Sequence, residues 1–191
     1  MCRRMALPST LHHLDLSLAD ADRGVDQALV LKVARHPSET MERLWLRVLA
    51  LAWQWREGIA LGPGLCEPDA PDVLALLPDG RQALIVRVGK PDPERVARDV
   101  AQGGGAKVAV LFDGPRRMAA FVAEAEERGL ARLEKAELAA VDPPLLAALA
   151  RREDRRLKCE LTLAGDHLYL AVGGEHLDGP LHRGRVSASA R

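Results

Sequence analysis

Carboxylates placed close to cations are the residues of this chain whose types and spacing could do chemistry. Glu39, Arg43 and Arg47 recur every four residues, Glu42 stands three after Glu39, Asp72 follows Pro71, and Asp92 precedes Pro93. Carboxylates that converge on one cleft can hold a divalent cation, so Glu39 or Glu42 could be the helix-borne acid of such a site. Each residue also has a plainer reading. Glu39, Glu42, Arg43 and Arg47 fit a solvated helix face with ion pairs worth ~0.3 kcal/mol each. Ser38 fits a helix cap, the Pro-Asp pair at 71–72 fits a turn, and Asp92 fits an N-cap with proline at the first helical position. Spacing leaves both readings open.

Other motifs argue against rival chemistries. Cys2, Cys66 and Cys159 are too few and too scattered for a disulfide framework and lack zinc-ligand spacing, which suits a reducing compartment. His12 and His13 are adjacent, so a strand would send them to opposite faces. Gly103, Gly104 and Gly105 lack the Lys-Ser/Thr sequel of a phosphate loop and follow a helix pattern instead of opening one. The run from Arg151 to Lys158 mixes both charges, as a solvated helix end does, although a phosphate patch is the competing reading. Lys plus Arg equals Asp plus Glu at 27 each, so no whole-molecule field draws nucleic acid or a membrane surface, and any anion site must be local. Three Trp, one Tyr and two Phe provide few parts for a base-stacking platform. The N-terminal residues MCRRMALPSTLHH include no apolar leader, and no apolar stretch approaches the ~20 residues of a bilayer crossing. A cytoplasmic protein with no membrane partner is expected.

The elements that must position these residues follow from periodicity. Residues 11–18 and 26–34 alternate around a turn at 20–24 and predict a hairpin. After His36-Pro37-Ser38, Met41, Leu44, Trp45, Val48, Leu49 and Ala52 follow helical spacing, and the helix is expected to run to about Gly58. Strands are predicted at 73–77 and 82–88, a helix from Asp92-Pro93, and a buried strand at 107–112. A further helix is expected from Met118, ended by Gly129, then a short strand at 131–138 and a last helix from Asp142-Pro143 to about Arg152. A terminal hairpin is expected at 157–163 and 167–172. The text GGEHLDGPLHRGRVSASAR from Gly173 onward has little to bury and predicts a disordered tail.

Three stretches carry a specific resemblance: ARHPSETMERLWLRVLALA at 34–52, PDV at 71–73 and VGKPDPERVARDV at 88–100. They are similar to the YaeQ family, and the similarity extends more weakly from Met5 to about residue 172, including LADADR at 18–23. Residues 1–4 then form an N-terminal extension, 5–172 a single domain, and 173–191 the tail. The resemblance implies an α/β (α+β) fold: a mixed sheet with flanking helices around a core like that of the PD-(D/E)XK nucleases, with N-terminal and C-terminal hairpins. Those nucleases hydrolyse phosphodiesters with Mg²⁺ held by carboxylates and a lysine or other donor beside the attacking water.

Carried over residue by residue, Asp72 matches the first Asp of the motif. The family's second element falls on a strand ending in Asp-x-Gly-Gln. Here that stretch is Arg87-Val88-Gly89-Lys90. Arg87 therefore holds the acid position and Lys90 the place of Gln, and both changes add positive charge. A guanidinium stays protonated and cannot ligate Mg²⁺, so an Arg87–Asp72 ion pair is expected to stand in for the metal. Arg35, Ser38, Arg47 and Asp92 belong to the same signatures and are carried as candidate binding residues.

The leading expectation is a degenerate, non-catalytic cleft that acts by binding, with no cofactor and no metal. One alternative is a metal-dependent phosphodiesterase in which Glu39 or Glu42 and Asp72 hold Mg²⁺ or Mn²⁺ while Lys90 supplies positive charge. Another is a protein-interaction module with a vestigial cleft. Nucleic acid and protein both stand as candidate partners.

Overall fold

Alternation along the first strand sets one face of the molecule. In β1 (Thr10–Asp20), Leu14, Leu16 and Leu18 are buried, while Leu11, Asp15 and Ser17 face outward. Its partner β2 (Val25–Arg35) pairs antiparallel along its whole length, as the hairpin reading expects. A computed structural model of the chain describes residues 9–67 and 69–187, so the expected extension at 1–4 lies outside the described residues.

Helix α1 (Met41–Trp53) follows, with Thr40 as N-cap: the Thr40 hydroxyl accepts from the Arg43 N–H at 3.2 Å. The expected cap, Ser38, instead exchanges a 2.6 Å hydrogen bond with the His36 ring, because the chain makes one more turn before the helix begins. The helix also stops at Trp53, short of Gly58. Its end is clamped by Arg23 in the β1–β2 loop, which donates to the Trp55 and Ala52 carbonyl oxygens and is oriented by Asp20. The carbonyls left open at a helix end explain why a guanidinium belongs there.

An antiparallel meander of β3 (Ile59–Leu61), β4 (Val73–Leu76) and β5 (Gln82–Val88) comes next. Helix α2 (Pro93–Gln102) leads into β6 (Lys107–Phe112), and α3 (Pro115–Glu127) leads into β7 (Glu137–Val141); β5, β6 and β7 run parallel. The strand expected at 131–138 is a 3₁₀ turn over Ala131–Lys135 followed by β7. Helix α4 (Pro143–Ala150) precedes β8 (Arg156–Ala164) and β9 (His167–Val172).

The expected disordered tail is corrected: residues 175–184 form β10 (Glu175–Gly184), while 188–191 lie outside the described residues. Gly173 and Gly174, both at positive φ, make the tight turn from β9 that only residues tolerant of the left-handed region accept. β10 pairs antiparallel with β9 through Pro180 and with β7 from Leu181, so one strand joins two half-sheets. Its glycine content reflects close packing. A Cβ on Gly179 would lie 3.1 Å from Leu145 and 3.2 Å from Asp142.

The result is a mixed ten-stranded sheet of order β2-β1-β8-β9-β10-β7-β6-β5-β4-β3. In its parallel part, alternate residues face opposite layers. Leu84, Val86 and Val88 of β5 join the core that contains α1 and α4, while Ile85 joins the core under α2 and α3. This is the expected α+β class of mixed sheet and flanking helices.

Candidate functional site

In a parallel βαβ unit each helix begins where the preceding strand ends, so helix N-termini gather at one edge of the sheet. Here β5, β6 and β7 deliver the starts of α2, α3 and α4, each with proline in its first turn, to the same edge. A cleft of about 860 Å³ opens there. Its wall combines the first turn of α1, the segment from Ala70 to Asp72, the end of β5 with Gly89–Asp92, and the starts of α3 and α4.

Asp72 lies at the head of β4 and is only 6% exposed. One carboxylate oxygen accepts from Arg43 Nη2 at 2.5 Å, and the other accepts from the Val88 backbone N–H at 2.9 Å. Both oxygens are therefore engaged. Arg43 also donates through Nη1 to Glu39 at 2.9 Å, so its guanidinium bridges the two acids that the sequence offers as cation ligands. Glu39 is buried just before α1 and is held a second time by Arg47, 3.3 Å away. Arg47, 2% exposed, donates further to the carbonyl oxygens of Ala34 and Gly62. It ties β2, α1 and the β3–β4 connection together and does not line the cleft.

Arg87 does not reach Asp72, which corrects the expected pair. Its Nε donates to Asp99 of α2 at 2.8 Å and its Nη2 to the other Asp99 oxygen at 3.2 Å; Nη1 donates to the Ala70 carbonyl at 2.8 Å. Strand alternation is the reason: position 87 shares the parity of Ile85 and faces the α2 layer, whereas Arg43 approaches Asp72 from the α1 layer. The solvated-face reading of Glu39, Arg43 and Arg47 is likewise overturned for Glu39 and Arg47, which are buried together.

The cleft thus brings together Glu42, Asp72, Arg87, Lys90 and Asp92 among the expected residues, and leaves out Glu39, Arg35, Ser38 and Arg47. Asp92 caps α2, accepting from the Glu94 N–H at 3.1 Å, and faces Arg128 at 3.5 Å. Three charged residues of the cleft were not anticipated: Arg95, Asp113 and Arg117. Arg117 pairs with Asp113 at 2.5 Å. Arg95 pairs with Asp69 outside the cleft and holds that exposed carboxyl below its ordinary value. The first-turn positions of Arg95 after Pro93 and Arg117 after Pro115 were the available signal, while Asp113 lies before α3 in the connection that follows β6. Lys90 is exposed and has no ion-pair partner among the described residues.

A divalent cation does not fit this donor set. Binding at Asp72 would require Arg43 to be expelled from a site where it satisfies two buried acids, and Asp72 would still share an oxygen with the Val88 N–H. Glu42 is the remaining candidate acid with no side-chain partner among the described residues. Among those residues no group of three His, Cys, Asp or Glu side chains is arranged to hold a metal.

Comparison with known proteins agrees over nearly the full length. A family model described as YaeQ protein matches residues 5–179. The uncharacterized protein YaeQ of Escherichia coli (strain K12) is 28% identical over 174 residues, which cover 91% of this chain and 94% of that one. The protein of the same name from Salmonella typhi is equally similar, at 28% over 174 residues. The crystal structure of YaeQ from Pseudomonas syringae superposes with a TM-score of 0.80 at 28% identity, covering 92% of this chain and 95% of that one. That of YaeQ from Xanthomonas axonopodis pv. citri gives 0.84 at 22% identity, covering 94% and 99%.

Proposed function

The chain belongs to the YaeQ family, and from that premise we propose that its cleft binds a phosphate-bearing anion without metal-dependent hydrolysis, on a degenerate PD-(D/E)XK-like core. One observation carries the reading: the Arg43 guanidinium bridges Glu39 and Asp72 and takes the electrostatic place of a cation. Arg87, held by Asp99 where the nuclease motif has an acid, supports it from the other face of the sheet. The order of helix α1, Asp72 at the head of β4, and the β4–β5 hairpin is consistent with the PD-(D/E)XK reading.

An anion is favoured by three contributions. The starts of α2, α3 and α4 turn the positive ends of their helix dipoles toward the cleft. Lys90 stands at the rim without a partner among the described residues. Arg43 and Arg95 keep about a quarter of their side chains exposed, at 26% and 25%, so both can add a contact without leaving their acids. Phosphate contacts made this way release counterions, so affinity should fall steeply with salt.

Two titrations test this. Mn²⁺ added to the natural chain should give no heat of binding, and a labelled DNA duplex followed by anisotropy should bind at low salt, weaken as salt rises, and weaken several-fold in Lys90→Ala. Failure of the duplex and of inorganic pyrophosphate to bind at low salt would overturn the binding reading. Mn²⁺-dependent cleavage of DNA by the natural chain, lost in Asp72→Ala, would return the site to the enzymes.

A further inference from the structure

The two edges of the ten-stranded sheet are built differently. One ends in β3, which is only three residues long and therefore offers little backbone to a foreign strand. The other ends in β2, eleven residues paired to β1 in unbroken register with no bulge. β2 contains no proline, and Val30 at its centre is 73% exposed. A long, regular edge with an exposed apolar centre is the kind that natural proteins cover or pair.

We propose that β2 is the docking edge for a second copy of this chain, antiparallel across a two-fold axis at Leu29. The outward face of β2 reads Asp26, Ala28, Val30, Lys32, Ala34. With the axis at Leu29, Asp26 stands opposite Lys32 of the second copy, Ala28 opposite Val30, and Lys32 opposite Asp26. Two ion pairs then flank an apolar centre, and the same residues serve both copies, as a two-fold interface requires. Neighbouring registers fail this test: an axis at Val30 sets Asp26 against Ala34, and one at Ala28 sets it against Val30. Neither Asp26 nor Lys32 has an ion-pair partner within the chain among the described residues. On the inner face, Leu29 and Leu31 pack against the core yet stay half-buried, and Leu29 would meet its own copy there.

Sedimentation equilibrium of the full natural chain tests the proposal, with Lys32→Asp and the exchange variant D26K/K32D beside it. The natural chain should sediment as a dimer. Lys32→Asp sets two pairs of like charges opposite each other and should weaken the dimer roughly tenfold or more. The exchange variant should restore it, because opposite charges again face each other across the axis with their order reversed. Both positions are exposed, so far-UV circular dichroism should be unchanged and a folding failure is readily told apart, while any fall in melting temperature should shrink with dilution as the natural dimer itself dissociates. A monomeric natural chain, a dimer indifferent to Lys32→Asp, or an exchange variant as weak as the single change would each overturn the proposal.

Discussion

Arg43 has two jobs that are separable by substitution. It neutralises Asp72 and Glu39, whose side chains are 8% and 0% exposed, and it closes the one place where those acids could share a metal. Arg43→Ala should therefore destabilise the fold by about 2 kcal/mol, below the usual penalty for breaking a buried pair because Val88 N–H and Arg47 still hold the acids. The same variant should show heat on Mn²⁺ titration where the natural chain is expected to show none. Arg87→Asp should be worse for stability, by about 3–5 kcal/mol, since it removes a buried pair and sets two carboxylates together beside α2. It should not create a site with Asp72, which lies toward the other layer. Cysteine reactivity is a further check: burial and then the Glu160 charge push the Cys159 thiol up to about 12, while Cys66 is exposed. Iodoacetamide on native protein should label Cys66 and spare Cys159 until denaturant is added, read by mass spectrometry of the peptides.

At the scale of elements, β10 is the part of the chain most exposed to misreading. Its composition of Gly, Pro and charged residues hides an inward-facing series of Leu177, Gly179 and Leu181, with Gly179 and Leu181 buried. The strand is fixed by backbone pairing to β9 and β7, which no local pattern reports. Deleting residues 173–191 should abolish the cooperative thermal transition, because the half-sheets would lose their shared strand and α4 its cover. Gly179→Val should cost about 1–3 kcal/mol by pressing on Leu145 and Asp142, measured as a lower urea midpoint.

At the scale of the molecule, the edge of the sheet away from the cleft is tied by a polar network. Glu137 at the start of β7 accepts from Gln54, the residue that caps the end of α1, at 3.1 Å and from Arg183 of β10 at 3.0 Å, and pairs with Lys107 of β6. Burial alone would raise the Glu137 carboxyl, but the Lys107, Gln54 and Arg183 contacts outweigh it and hold the group below its ordinary value. A lowered carboxyl stabilises the fold at neutral pH and loses that contribution as pH falls below the ordinary glutamate range. Glu137→Gln should accordingly lower the melting temperature near neutrality and flatten its decline with acid, so the two proteins should converge at low pH.

The amino-acid sequence by itself determined the elements whose periodicity is local: the β1–β2 hairpin, the buried stripe of α1, the β4–β5 pair, and the helix begun at Asp92-Pro93. It also determined the family, because the signatures around Glu39, Asp72 and Lys90 are contiguous text. Only the tertiary structure decided which cation meets which acid. Arg43 and Arg87 both stand close in sequence to plausible partners, yet the sheet separates them onto opposite layers and sends one to Asp72 and the other to Asp99. Pairings between residues far apart along the chain depend on which face each strand presents, and that is settled by the packing of the whole sheet. The same reason hid β10: a strand made by its neighbours carries little of its own signal.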